Sequence, residues 1–181
     1  MPTKQVVTPE ASHPAEHRAN QVAAVVNVTG DLHLDDGTAF IAVAHHDFTL
    51  NDGGGAIFVA GEDFQLTNGG AATMVAGRDF ALRNGGAGFV LAGRDLTIAN
   101  GESSVSVAGK QATATEHQSA LIAAREVTLH DSNAGVIFAG KVNLNGNATV
   151  VVEITPERVA GAIVGLIFYL PVRLLQRMQG R

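Results

Sequence analysis

Imidazole and carboxylate meet at His45-His46-Asp47, and acidic residues recur at Asp31, Asp47, Asp63, Asp79, Asp95 and Glu126. Such groups can ligate a divalent cation or run acid–base chemistry. The spacing argues against both. Adjacent histidines in an extended strand point to opposite faces, so one at most reaches a given site. His33 lies two residues out of step with them, and no third ligand or Ser-His-Asp order is evident. Calcium-binding solenoids carry a Gly-Gly-x-Gly-x-Asp nonapeptide, which is absent. An Asp beside a corner Gly more often bonds to backbone as an Asx turn. Stacked carboxylates repel, and Arg78, Arg94, Lys110, Arg125 and Lys141 stand beside them to offset it. No Gly-Lys-Ser/Thr follows any glycine corner, which excludes a phosphate loop. With no Cys, thiol chemistry and zinc–thiolate sites are excluded. The expectation is a protein that is not an enzyme, with no metal, no cofactor and no small-molecule substrate.

The acidic residues are evenly spaced because the whole phrase around them repeats. Gly77-Arg-Asp-Phe-Ala-Leu-Arg-Asn-Gly85 returns 16 residues later as Gly93-Arg-Asp-Leu-Thr-Ile-Ala-Asn-Gly101. One apolar column is Leu32, Phe48, Phe64, Phe80 and Leu96, and a second, two residues on, is Leu34, Leu50, Leu66, Leu82 and Ile98. They continue as Ala112/Ala114, Val127/Leu129 and Val142/Leu144, the last two steps each shortened by one residue. A spacing of two places both columns on one face of a strand. Asp-Gly or Asn-Gly follows at 36, 52, 68, 84 and 100, a pair that accepts positive φ and makes tight corners. Strand and corner at a short constant period predict an all-β, single-stranded β-solenoid over 22–152. Helical and βαβ repeats need roughly 30 residues or more. About eight coils at ~4.8 Å each give a rod roughly 38 Å long.

A second strand in each coil, such as Ile57-Phe58-Val59-Ala60 or Phe89-Val90-Leu91-Ala92, is apolar at every position. A single-layered rod buries one face only. An apolar ladder therefore stays outside, and contiguous apolar surface marks an interaction site. Phe58, Met74 and Val90, or else the partner ladder beside them, are the candidates for lateral contacts between rods. Val26 and Val28 in the first coil, with Val150, Val151 and Val152 in the last, are the candidates for end-to-end stacking.

Residues 1–21 are polar with three prolines and read as a disordered arm. Met1-Pro-Thr-Lys-Gln has no apolar h-region, so no secretory signal is expected and the chain is placed in the cytoplasm. A net charge of −5 without a long run of either sign makes nucleic acid an unsuitable partner. After residue 152 the composition changes. Thr155-Pro156-Glu157 is a helix start. Val159 to Leu170 is then apolar all round, and Pro171 kinks or ends the helix. Val159, Ile163, Val164, Leu166, Ile167, Phe168, Leu170, Leu174 and Leu175 would enter lipid, with Arg173 and Arg177 among anionic head groups. A straight span needs ~20 apolar residues, so a kinked or interfacial anchor is expected over 153–181, at the inner face of the membrane. The competing reading is a helix that caps the rod or forms an oligomer core.

Taken with the polar arm and the missing cysteine, the glycine-cornered coils of Gly77–Gly101 and their copies resemble the bactofilins, bacterial polymer-forming cytoskeletal proteins. The resemblance spans about 22–152. It implies rods joined end to end into filaments that need no nucleotide, held at the membrane by a terminal segment. The expectation is a self-assembling, membrane-associated structural scaffold, a homo-oligomer or filament. The alternative is an oligomeric β-solenoid module that binds a surface or polysaccharide. An acyltransferase solenoid, with His117 or His130 as its base, would show coils of about 18 residues rather than 16.

Overall fold

A computed structural model describes residues 15–19 and 22–155. These residues form one parallel β-solenoid of about eight coils. The strands are β1 (Ala15–Ala19), β2 (Val22–Val28), β3 (Asp31–Asp35), β4 (Thr38–Ala44), β5 (Phe48–Ala60), β6 (Phe64–Ala76), β7 (Phe80–Ala92), β8 (Asp95–Ala108), β9 (Gln111–His130), β10 (Asn133–Asn145) and β11 (Thr149–Ile154). They make a single sheet in which each coil pairs with the next, the main path running β1-β3-β5-β6-β7-β8-β9-β10-β11 while β4 links β2 to β5. The register is the sequence period: Phe48 lies opposite Phe64, Phe64 opposite Phe80 and Phe80 opposite Leu96. The step of 15 is real, with Val127 opposite Val142.

Pairing within a coil falls into three runs, as in 48–51, 53–55 and 57–60 of β5, with breaks at residues 52 and 56. The third corner is the turn at 61–63. Each coil is therefore three-sided, with a first, a middle and a third side. Two corners trace directly to residue type. Asp36, Asp52, Asn68, Asn84 and Asn100 have φ between 49° and 55°. Asn and Asp tolerate this left-handed conformation better than other residues with a side chain. Glu116 and Asp131 continue the column at φ 49° and 47°. At the turn after the third side, Gly61, Gly77, Gly93 and Gly109 admit no Cβ: one built there would lie 1.9–2.1 Å from a carbonyl oxygen of the preceding coil.

Alternation along the strands fills the interior. Phe48, Phe64 and Phe80 form a buried ladder, with ring centroids 4.8 Å apart edge-to-face and 5.0 Å apart stacked. Phe58, from the third side, meets Phe48 at 5.4 Å across the interior. The middle side leaves room for these rings because its inward positions are small. A Cβ on Gly55 would lie 2.5 Å from the Phe58 ring.

Two boundaries differ from the sequence reading. The solenoid begins inside the stretch read as a polar arm, because β1 pairs with β3 at the same 16-residue offset, Ala15 opposite Asp31. At the other end β11 carries the solenoid to Ile154. The expected C-terminal helix and its anchor residues, from Val159 to Arg177, lie outside the described residues.

Candidate functional site

The functional candidates are surfaces, and the third side carries an apolar one. Its inward ladder is Phe58, Met74 and Val90, each fully buried. These three were candidates for lateral contacts, and the structure corrects that assignment: strand alternation turns them into the interior, opposite the first-side phenylalanines. The partner ladder faces out. It runs Val25, Ile41, Ile57, Thr73, Phe89, and on through Val105, Leu121 and Val136 to Val152. A second outward column two residues on starts at Asn27 and runs through Val43 to Phe138 and Ile154. Stacking half-covers most members, while Val25, Ile57, Phe138 and Val152 stay exposed.

The corner beyond this side carries the charge. Each carboxylate accepts the backbone N–H one coil on: Asp31 from Asp47, Asp47 from Asp63, Asp63 from Asp79 and Asp79 from Asp95, at 3.0–3.2 Å. Arg78 Nε donates to Asp63 at 3.2 Å, and Arg94 Nε to Asp79 at 2.8 Å. The Arg94 bond is the main cause that holds the Asp79 carboxyl below the usual range; burial opposes it, and the Asp95 N–H adds to the lowering. This makes the acidic column a structural device for spanning coils, through bonds to the next coil rather than the local Asx turns that the sequence suggested. It stops at Asp95, because the next position is Gln111, whose N–H turns to the Arg94 carbonyl at 3.4 Å. One Asp95 carboxylate oxygen is left buried without a partner among the described residues. Further on, Lys141 Nζ reaches Glu126 at 2.8 Å and, with Asn143, lowers the Glu126 carboxyl.

The His45-His46-Asp47 group does not converge. His46 Nδ1 lies 3.4 Å from Glu62, while His33 sits 3.1 Å from Asp35. Among the described residues no group of three metal-ligating side chains comes together.

A polar cluster that the sequence reading missed lies in the core. Ser103 Oγ is 2.9 Å from His117 Nε2, 2.7 Å from Ser106 Oγ and 3.2 Å from Ser119 Oγ. The His117 N–H donates to Ser132 Oγ at 3.1 Å. A hydroxyl beside an imidazole is the arrangement of nucleophilic catalysis. Here Ser103 and His117 are both buried, and no carboxylate orients the ring. Its Nδ1 makes no hydrogen bond of normal geometry, although the Gly101 backbone lies close enough to resist the effect of burial. The sequence signal was a coincidence of two breaks in the repeat. His117 takes the place of Gly101, in the coil where the aromatic and leucine columns shrink to Ala112 and Ala114.

Burial holds the His117 pKa below its ordinary 6.5. A group with a depressed folded pKa that must stay neutral costs stability once the unfolded chain can protonate. Folding free energy should therefore be unaffected by this group above pH 6.5 and fall as pH drops below it. Denaturant titrations at pH 7.5 and 5.5 should show a smaller loss of stability on acidification in His117→Gln than in the parent. An equal loss in both would place the effect on other groups.

Both ends of the rod are open among the described residues. At one end β1 pairs only with β3 and β2 only with β4; at the other, β11 pairs only with β10. Val26 and Val28 are buried in the first coil's interior. Val150 packs half-buried against the last of the core, Val151 is 84% exposed and Val152 44%. The outer surface of the middle side near this end is a shallow groove of about 480 Å³, lined by Glu102, Gln118, Asn133 and Thr149 among others. Among the described residues no helix is long and apolar enough to cross a membrane. No known family model, curated protein or solved structure matches this chain.

Proposed function

We propose that the protein is a non-enzymatic structural scaffold, a bactofilin-like β-solenoid that assembles end to end in the cytoplasm and is held at the inner face of the membrane by its C-terminal segment. The observation that carries this reading is the pair of open ends. An exposed parallel strand edge is a template for further pairing unless it is covered, twisted away or charged. In solenoids terminal capping repeats normally serve that purpose. The described residues contain none: the last coil presents β11 and its inward Val150 directly. The charge pattern fits head-to-tail joining. The corner is acidic near the first coils, with Asp31, Asp47, Glu62 and Asp63, and turns basic toward the last, with Lys110, Arg125 and Lys141.

Val150→Glu tests the joint. In a free rod the new carboxylate sits at the open end and reaches water, so the melting temperature should change little. In a joint it would be buried without a partner, at a cost of several kcal/mol. Sedimentation should therefore show short species for the variant at concentrations where the parent forms long ones. Parent-length assemblies from Val150→Glu would overturn axial stacking through this end.

A second reading has one observation behind it. The polar side chains of Glu102, Gln118, Asn133 and Thr149 line the groove near that end, as a polysaccharide-binding face requires. Glycan-array binding by a protein that never assembles would favour that module.

A further inference from the structure

We propose that the rod lies with its third side flat on a lipid bilayer, so that this face, as well as the C-terminal segment, contacts the membrane. This rests on the membrane attachment proposed above and specifies the geometry of it.

The outward columns that begin at Val25 and Asn27 and end at Val152 and Ile154 contain no charged side chain over the whole length of the rod. The corresponding positions of the first side are mostly polar, for example Gln65, Thr97 and Arg83, with Ala81 and Ala99 the apolar exceptions in those coils. Parallel strands that read as unbroken apolar runs are normally covered on both faces. The described residues cover only the inner one. Nine rows at ~4.8 Å, two side chains wide, give a patch on the order of 500 Å², near the top of what a monomer exposes.

Two observations select lipid as the occupant. One long edge of the patch is the corner that carries Arg78, Arg94, Lys110, Arg125 and Lys141. Toward the C-terminal end the carboxylates beside them thin out, as Gln111 lies opposite Asp95 and Lys141 opposite Glu126. Lys110 and Arg125 are exposed and make no ion pair with a described residue. An apolar surface edged with cations matches the acyl and phosphate layers of an anionic membrane. The second observation is where the chain leaves. Ile154 is the last member of an outward column on this side, so residues 156–181, with the apolar Val159–Leu170, start from the edge of the patch itself. Anchor and face would enter the same bilayer without the chain crossing the rod.

The chain has no cysteine, so a single one can carry a polarity-sensitive fluorophore. The full-length chain labelled at Val107→Cys, on the face, and at Thr97→Cys, on the first side, would be mixed with vesicles of phosphatidylglycerol and phosphatidylcholine. The Val107 label should shift to the blue and be quenched by brominated acyl chains, while the Thr97 label does neither. Leu121→Glu should weaken vesicle binding roughly tenfold without loss of the β-sheet circular dichroism signal. Vesicle binding with an unchanged Val107 label would leave attachment by the tail standing and overturn the flat orientation. Failure to bind vesicles would overturn both. A Val107 label already blue-shifted without lipid would also overturn it: concentration dependence would assign the face to a second copy, and independence to the chain's own tail.

Discussion

Phe64→Ala is expected to lower the melting temperature by roughly 10 °C, the largest effect of any single core truncation. Its ring is fully buried, with Phe48 at 4.8 Å on one side and Phe80 at 5.0 Å on the other. Truncating a buried Phe costs about 3–5 kcal/mol, and a domain of this size loses about 2–4 °C per kcal/mol. A solenoid cannot close over the gap easily, because the coil spacing is fixed by backbone bonds to both neighbours. The architecture also dictates where the damage appears. Each coil touches only the next, so stability is a chain of neighbouring interfaces. Hydrogen exchange should accelerate first in β5, β6 and β7 and least in β9 and β10. Uniform acceleration along the whole chain would show that the rod unfolds as one unit.

Gly77→Val is expected to destabilise by roughly 3 kcal/mol or more although Gly77 is exposed and its side chain would bury nothing. A Cβ there would stand 1.9 Å from the Gly61 carbonyl oxygen, a backbone atom of the adjacent coil. Gly77 N–H meanwhile donates to the Ala60 carbonyl at 3.0 Å, so the layers can part only by breaking the ladder. Gly140 is the internal control. In its shortened corner a Cβ would lie 3.1 Å from the Arg125 carbonyl and meet nothing else nearby. Gly140→Ala should cost less than about 1 kcal/mol. Equal losses in the two variants, measured by denaturant unfolding, would remove close coil approach as the reason for this glycine column.

The repeat was legible because stacking makes the fold's geometry a property of single columns. Phe48, Phe64 and Phe80 announce an interior, and Asn68, Asn84 and Asn100 announce left-handed corners, each confirmed where the period placed it. The choice between Ile57 and Phe58 was not legible. Both are large and apolar, and only the width of the three-sided interior, set by small residues at Gly55, Ala71 and Ala87, decides which one it accepts. Ala15–Ala19 was missed because its polar composition lacks the phenylalanine and leucine columns; β1 is defined by pairing with β3 instead. The Ser103–His117 cluster was hidden for a different reason. A buried polar network is formed by residues that leave the repeat, and the repeat was the signal being followed.

The most direct test of the account is fibre diffraction from aligned assemblies of the purified chain. Rods joined in register must carry the coil spacing through every joint, giving a sharp meridional reflection near 4.8 Å. Assembly should appear above a threshold concentration and reverse on dilution. Discrete particles whose sedimentation is independent of concentration, with no such reflection, would contradict the account at its centre.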